Sequence, residues 1–366
     1  MVPKFSIIAP ILHRSRNYQW CWKPTIDPSI NETEWINYND IENEIIEDAY
    51  QQKQVNVEID GDFMINFKSF LQYKNNNEHT VRLIKRIQLD SNRINEQLRK
   101  NRFAMPISID SSFMGLEQAD DTKSNRLFRL LLSMGDLPRA YLFLYPPNSN
   151  KTIAAVVEDA AEGIIKEGTF VGKAIEACWL AKMLLDVKDS GKNCMLCSET
   201  TNIPAEIGQT SNTLYTMESY LFEELNKFMR NFSGMSMQQV FSYGPFCYLL
   251  QSYLHEISSI SQTTVYRGIE LSDEQRQDFM KEKVIFSSFT STSKNRKRAE
   301  LSGNTLLIIK FNADPFGVSE MAYCGSDIEL LSFFPEEEEF LIRPPAVFRF
   351  VKHDIENNKH IIYLEV

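Results

Sequence analysis

Several things are scarce or missing in this chain of 366 residues, and each absence removes a class of function. No apolar run approaches the length needed to cross a bilayer, so no helical membrane span is expected. The apolar stretch from Phe5 to Leu12 is broken by Pro10 and followed at once by His13, Arg14 and Arg16, so no secretory leader is expected either. The five histidines (His13, His79, His255, His353, His360) form no metal or catalytic cluster. The six cysteines (Cys21, Cys178, Cys194, Cys197, Cys247, Cys324) are scattered, which reads as free thiols in a reducing compartment, cytosol or nucleus. The sequons at Asn31, Asn150 and Asn231 are then expected to stay unused. Cys194 and Cys197 have zinc-ligand spacing but no second pair and no nearby histidine, so no metal is expected. Neither a GxxxxGK[ST] phosphate loop nor a GxGxxG dinucleotide fingerprint occurs. Positive charge is also short: a formal net charge of −10 argues against general nucleic-acid binding, which needs a basic surface to displace counterions.

What remains is an ordinary globular composition, 43% apolar and 24% charged, over a length that suits two domains or three. Gln19 to Trp22 reads as an aromatic-rich strand, and Asn39 or Asp40 as the cap of a helix carrying Ile41, Ile45, Ile46 and Ala49 on one face. Val55, Val57 and Ile59 alternate with polar residues up to the turn signal Asp60-Gly61, and Phe63, Ile65 and Phe67 continue the alternation on a return strand. A basic strand, Val81 to Ile87, closes the unit. Residues 88–125 read as a connector and 125–145 as helical, with a faint likeness to a tetratricopeptide turn that no repeat supports. Helices are expected at 173–188, 214–229 and 236–258, and strands at 263–268, 284–290, 305–311, 339–342, 346–351 and 360–366. Ser272 and Gln275 form a capping box. Helices first and strands later predict an α+β fold.

Residues 15–90 resemble a WWE domain, a half-barrel with one helix. Trp20 or Trp22 takes the first tryptophan's place, Trp35 the second's and Glu47 the glutamate's; Gln72-Tyr73 and the strand Val81 to Arg86 fit the family's ending. The resemblance implies binding of the iso-ADP-ribose unit of poly(ADP-ribose), and so of proteins modified with it, through Trp35, Gln72 and Arg82. Arginine suits phosphate and a tryptophan face suits adenine. Phe63 stands where some binders carry tyrosine, and the loop between Trp22 and Trp35 is longer than usual.

Four segments of the last hundred residues arrive in a telling order: Val265 to Gly268, Phe289 to Ser293, Phe333 to Pro335, and Glu337 to Ile342. Transfer of ADP-ribose from NAD needs a carboxylate beside a sugar that turns cationic, a cation for the pyrophosphate and a group that assists the acceptor. Arg267 ends an apolar strand, and Gly268 allows close backbone approach. Ser291 follows a strand-like run, and Glu337 and Glu339 would share one face of a strand. Together these segments resemble the arginine, serine and glutamate triad of NAD-dependent mono-ADP-ribosyltransferases, in the Glu-x-Glu form of enzymes that modify arginine. The resemblance implies that Arg267, Gly268, Ser291 and Glu339 bind NAD, the substrate. It makes Glu339 the catalytic glutamate on the ribose 2′-hydroxyl and Glu337 the residue that prepares the arginine acceptor, with Phe333 or Phe334 stacking on its guanidinium. Glu336 and Glu338 are bystanders, and Arg343 replaces a proline more usual in the family.

The expected organisation is a WWE-like domain at 10–92, a linker and helical region at 93–165, and a catalytic domain at 166–366 with N-terminal helices followed by two packed, mainly antiparallel sheets. The expected activity is transfer of one ADP-ribose to protein arginines with release of nicotinamide. A non-catalytic ADP-ribose reader and an NAD glycohydrolase are the other readings.

Overall fold

The computed structural model describes residues 18–24, 35–75, 77–89, 99–103, 136–145, 150–196, 203–230, 237–258, 262–312 and 324–366. The N-terminal sheet contains β1 (Tyr18–Trp22), β2 (Ile36–Asn37), β3 (Asn56–Ile59), β4 (Phe63–Asn66), β5 (Leu71–Lys74) and β6 (Asn77–Gln88), in the order β2-β1-β6-β5-β4-β3. Its one helix, α1 (Asp40–Gln51), starts where Asn39 accepts a hydrogen bond from the Glu42 amide. Trp20 is fully buried, and its indole Nε1 donates to Glu47 Oε2 at 2.8 Å. Arg86 grips the same carboxylate from β6, Nε to Oε2 at 2.9 Å and Nη2 to Oε1 at 2.8 Å. Burial opposes the Glu47 charge, but hydrogen bonds from Arg86, Gln51 and Trp20 outweigh it and hold the carboxyl below its ordinary value. The tryptophan and glutamate of this unit are therefore parts of its core.

A helical layer follows: α2 (Lys100–Phe103), α3 (Leu137–Phe143), α4 (Ile153–Phe170), α5 (Ala174–Val187), α6 (Ala205–Thr216), α7 (Tyr220–Arg230) and α8 (Met237–Glu256). Helices α4 and α8 meet at Gly163, where an added Cβ would come within 2.0 Å of the Ser242 carbonyl oxygen. The helix Leu137–Phe143 falls in the stretch read as helical, while of the connector only 88–89 and 99–103 are described and residues 104–135 lie outside the described ones.

The C-terminal part contains β7 (Thr263–Ile269), α9 (Asp273–Phe279), β8 (Lys283–Phe286), β9 (Thr290–Ser293), α10 (Arg296–Glu300), β10 (Thr305–Phe311), β11 (Gly325–Asp327), β12 (Glu339–Ile342), β13 (Ala346–Glu356) and β14 (Lys359–Glu365). The strands run in the order β11-β12-β9-β7-β10-β14-β13-β8. Only the pair Tyr266–Ser293 joins β7 to β9, so the sheet divides there into a three-stranded and a five-stranded part. Phe340 and Ile342 of the smaller part share a core with Val265, Leu307, Phe286 and Phe348 of the larger. This is the expected pair of packed sheets, antiparallel throughout except for β10 and β14. Two strands differ most from expectation. β13 runs on to Glu356, past the expected end at 351, and the strand expected at 284–290 stops at Phe286, after which the chain changes sheets before β9 begins at Thr290.

The two halves are held by polar contacts as well as apolar ones. Asp60, at the turn after β3, accepts from the Ile175 and Glu176 amides at 2.8 and 3.0 Å and so caps α5 from outside its own segment. Asp40 accepts from the Glu218 amide at 2.6 Å. Glu176 is buried beside Lys173, 3.5 Å away, and accepts from the Tyr220 amide at 2.7 Å. Burial raises its carboxyl from 4.5 to about 7. The folded state therefore binds the proton better than the unfolded chain does. That stabilisation is complete below the unfolded value and is lost as pH rises through about 7. Melting temperature is expected to fall between pH 5 and pH 8, and Glu176→Gln should flatten the slope, a difference on the order of 2–3 kcal/mol. Parallel pH profiles for the two chains would refute the assignment.

Candidate active site

Four elements converge on the sequence-predicted residues. Arg267 lies on β7, is 2% exposed, and donates through Nη1 to the Ser291 carbonyl at 2.5 Å. Burial pushes its guanidinium down to about 9, even though the Glu339 carboxylate nearby pulls it up. A guanidinium stays protonated in practice, so the depression marks a desolvated cation that an incoming anion would stabilise. Ser291 lies on β9, and its buried Oγ has no hydrogen-bond partner among the described residues. A buried hydroxyl without a partner beside a desolvated guanidinium is a fitting place for a polar, anionic substrate.

Gly268 serves the chain itself. An added Cβ would come within 2.0 Å of the Ala299 carbonyl oxygen and 2.5 Å of that of Ser302, so glycine is required there by the packing of α10 on β7.

The two glutamates do not share a strand. Glu337 ends a 3-10 turn (Pro335–Glu337), Glu338 takes a left-handed conformation with φ 49°, and Glu339 begins β12. The expectation of two carboxylates on one pleated face is thereby corrected: a backbone pivot, not strand alternation, brings them together. Asn295 Nδ2 donates to Glu338 Oε1 at 2.9 Å, and the Lys294 amide donates to the Glu338 carbonyl at 3.0 Å, which fixes the pivot. Ser293 Oγ donates to the Glu337 carbonyl at 2.8 Å. Both carboxylate residues are buried, Glu337 at 4% exposure and Glu339 at 0%. Ser332 approaches Glu339, with its Oγ 3.5 Å from Oε2.

Two arginines that no sequence pattern marked complete the cluster. Arg99 Nε donates to Glu337 Oε1 and Nη2 to Oε2, both at 2.8 Å, while its guanidinium lies 3.5 Å from the centre of the Phe334 ring. Its Nη1 donates to the Thr216 carbonyl at 3.0 Å. Burial opposes this charge, yet Glu337, Asp40 and Glu339 hold it above its ordinary value. Arg102 Nε donates to Glu339 Oε1 at 2.9 Å, and Nη2 stands 2.8 Å from the same oxygen as an ion-pair contact off hydrogen-bond alignment. Its Nη1 donates to the Tyr215 carbonyl at 2.7 Å. Phe333 packs against Phe334, ring centres 5.2 Å apart, and its amide donates to Thr216 Oγ1 at 2.9 Å. Arg343 lies at the strand exit, where its Nη2 donates to Ser258 Oγ at 3.1 Å.

Residues 206–366 match the family described as NAD:arginine ADP-ribosyltransferase, and residues 18–86 match the WWE domain. The chain is thus similar to a WWE domain over its N-terminal sheet and to an ADP-ribosyltransferase over its C-terminal part. Among solved structures it is similar to the eukaryotic mono-ADP-ribosyltransferase ART2.2, at 20% identity over 74% of this chain and 93% of that one with a TM-score of 0.34. It is also similar to ADP-ribosyltransferase HopU1 of Pseudomonas syringae pv. Tomato DC3000, at 19% identity over 44% and 76% with a TM-score of 0.36. Exoenzyme S from Pseudomonas aeruginosa, solved with carba-NAD, is a third, at 14% identity over 57% and 88% with a TM-score of 0.37. A comparison with curated proteins gave no match.

In the N-terminal sheet, Gln72 and Arg82 are cross-strand neighbours. Arg82 lies 4.3 Å from the Trp22 ring centre and 5.3 Å from that of Phe63. Gln72 is buried, and its Oε1 accepts from the Tyr38 hydroxyl at 2.5 Å, which leaves the amide nitrogen as its donor. Trp35 has a different cation over its ring, Lys85 Nζ at 4.2 Å. Among the described residues no three His, Cys, Asp or Glu are placed to hold a metal ion, and no helix is long and apolar enough to cross a membrane. Cys197 lies outside the described residues.

Proposed function

We propose that the chain transfers one ADP-ribose from NAD to arginine side chains of proteins and releases nicotinamide. The observation that carries this reading is the way the site already binds guanidinium: Glu337 takes both nitrogens of Arg99 in a fork while Phe334 covers the face. An acceptor arginine would need the same fork and the same face. In this reading Arg267 and the Ser291 hydroxyl receive the dinucleotide. The bond from ribose C1′ to the nicotinamide nitrogen breaks with its electron pair leaving on nicotinamide. Glu339 stabilises the positive charge that develops on the sugar and holds the 2′-hydroxyl. The acceptor nitrogen bonds to C1′, and Glu337 accepts the proton that the guanidinium loses as that bond forms. Burial of both carboxylates strengthens each of these interactions over what water would allow. The test is incubation of the full chain with labelled NAD and an arginine-rich protein. Label on arginine is the expected result; a folded chain that labels nothing, itself included, would refute it.

The WWE domain is proposed to read ADP-ribose. The support is Arg82 between Trp22 and Phe63, a phosphate-seeking cation set on an aromatic platform. Titration of iso-ADP-ribose into the full chain should give saturable binding, weakened about tenfold or more in Arg82→Ala, a loss of one charge-assisted bond. Equal affinity in both chains would remove Arg82 from the site.

A further inference from the structure

Arg99 and Arg102 come from one short segment, yet they pair with the two glutamates on which the proposed reaction depends. The described part of that segment is a helical turn, Lys100–Phe103, with Arg99 just ahead of it. The partners stand 238 and 237 residues away along the chain. Phe103, at 1% exposure, anchors the turn among Ala299, Leu306, Ile308 and Ile361. We propose that residues 99–103 are an internal plug, with Arg99 in the seat of the acceptor guanidinium and Arg102 in front of the carboxylate that faces the reacting sugar. This rests on the transferase reading above and adds to it a closed resting state.

The charges explain why a plug of this kind fits. Two buried carboxylates are costly unless two positive charges accompany them. During turnover those charges are the ribosyl cation and the acceptor arginine. In the closed chain they are Arg102 and Arg99, so the plug supplies the positive charge that both substrates would bring. Its contacts are also the substrates' contacts. Arg102 places two nitrogens within 2.9 Å of Glu339 Oε1, so a ribose hydroxyl cannot use that oxygen until Arg102 leaves. Arg99 saturates both oxygens of Glu337 and covers Phe334. Among the described residues the plug is held by these contacts, by the Thr216 and Tyr215 carbonyls that accept from Arg99 and Arg102, and by Phe103, and a competitor for the two carboxylates weakens its hold. Asp40, on the first turn of the WWE helix, stands 3.5 Å from Arg99 and adds a wall from the other domain.

When only a fraction of molecules is open, apparent affinity falls by that fraction. The experiment compares the full chain with the Arg99→Gln/Arg102→Gln double variant, which keeps hydrogen-bond donors for the carboxylates. Nicotinamide release is measured against NAD concentration, melting curves confirm folding, and hydrogen exchange at residues 99–103 is followed in the unmutated chain with and without NAD. The expected result is a KM for NAD lower by about tenfold or more in the variant, together with faster exchange at 99–103 on adding NAD. An unchanged or higher KM in a folded variant overturns the plug, as does exchange that NAD slows or leaves alone. If neither chain releases nicotinamide, the transferase reading falls. Exchange then decides the plug alone: acceleration by NAD sustains it, and no acceleration overturns it.

Discussion

Replacing Glu339 by glutamine is expected to slow NAD cleavage by on the order of 100-fold or more, the usual loss when one preorganised electrostatic partner of a transition state is removed. The structure dictates the choice of glutamine. Arg102 is 3% exposed and paired with this carboxylate. Alanine would strand a buried guanidinium, a change worth about 3–5 kcal/mol in stability, and the lost activity would then mix folding with chemistry. Glutamine keeps an oxygen for Arg102 Nε and removes the negative charge that would face the sugar in the proposed reaction. Nicotinamide release at saturating NAD is the measurement, with the melting temperature as control. A folded Glu339→Gln chain within a few-fold of the parent rate would take the catalytic role away from Glu339.

The second large effect separates two reactions. Glu337→Gln is expected to abolish transfer to arginine, by roughly 100-fold or more as for loss of a general base, while NAD hydrolysis by water continues. The reasoning is positional. Glu337 sits on the turn before the pivot at Glu338 and holds a guanidinium in a fork; Glu339 sits beyond it on β12, opposite Ser293. Only Glu339 would meet the sugar. Because Glu337 also anchors Arg99, its replacement loosens the plug, so hydrolysis should be at least as fast as in the parent. Label transfer to a small guanidine and nicotinamide release, measured in one reaction, test this. Both activities falling together would show that the two glutamates act as one unit.

These residues were legible because each sits beside a strand with a strong apolar signature. Thr305–Phe311 and Glu339–Ile342 have the limits expected of them, and Thr263–Ile269 differs by one residue. The capping box at Ser272 and Gln275 is formed. What sequence reasoning missed is what apolar continuity hides or what only tertiary contact reveals. The run from Val284 to Phe289 gives no sign that the chain changes sheets inside it. Helix α4 carries Gly163 and Gly168, residues that lower helix propensity but here permit close contacts with Ser242 and Ala177. Arg99 and Arg102 lie in a stretch that reads as connector. Their spacing of three puts them on neighbouring positions of a turn, but nothing local states that their partners lie more than two hundred residues downstream. The pairing of Glu337 with Glu339 was read from strand alternation and is instead the work of a left-handed residue between them.

That left-handed residue has a consequence for how the gene can change. Four identical residues stand in a row, Glu336 to Glu339. Loss of any one of the four codons yields the same shorter protein. In it Pro335 stands one position nearer Phe340, and turn, pivot and strand start must be made from three residues that now serve as four. Either the turn or the pivot is lost, and one carboxylate leaves its place. The run looks redundant as text, yet its length is fixed by the backbone, and a single-codon contraction there should be as damaging as a substitution at Glu337 or Glu339.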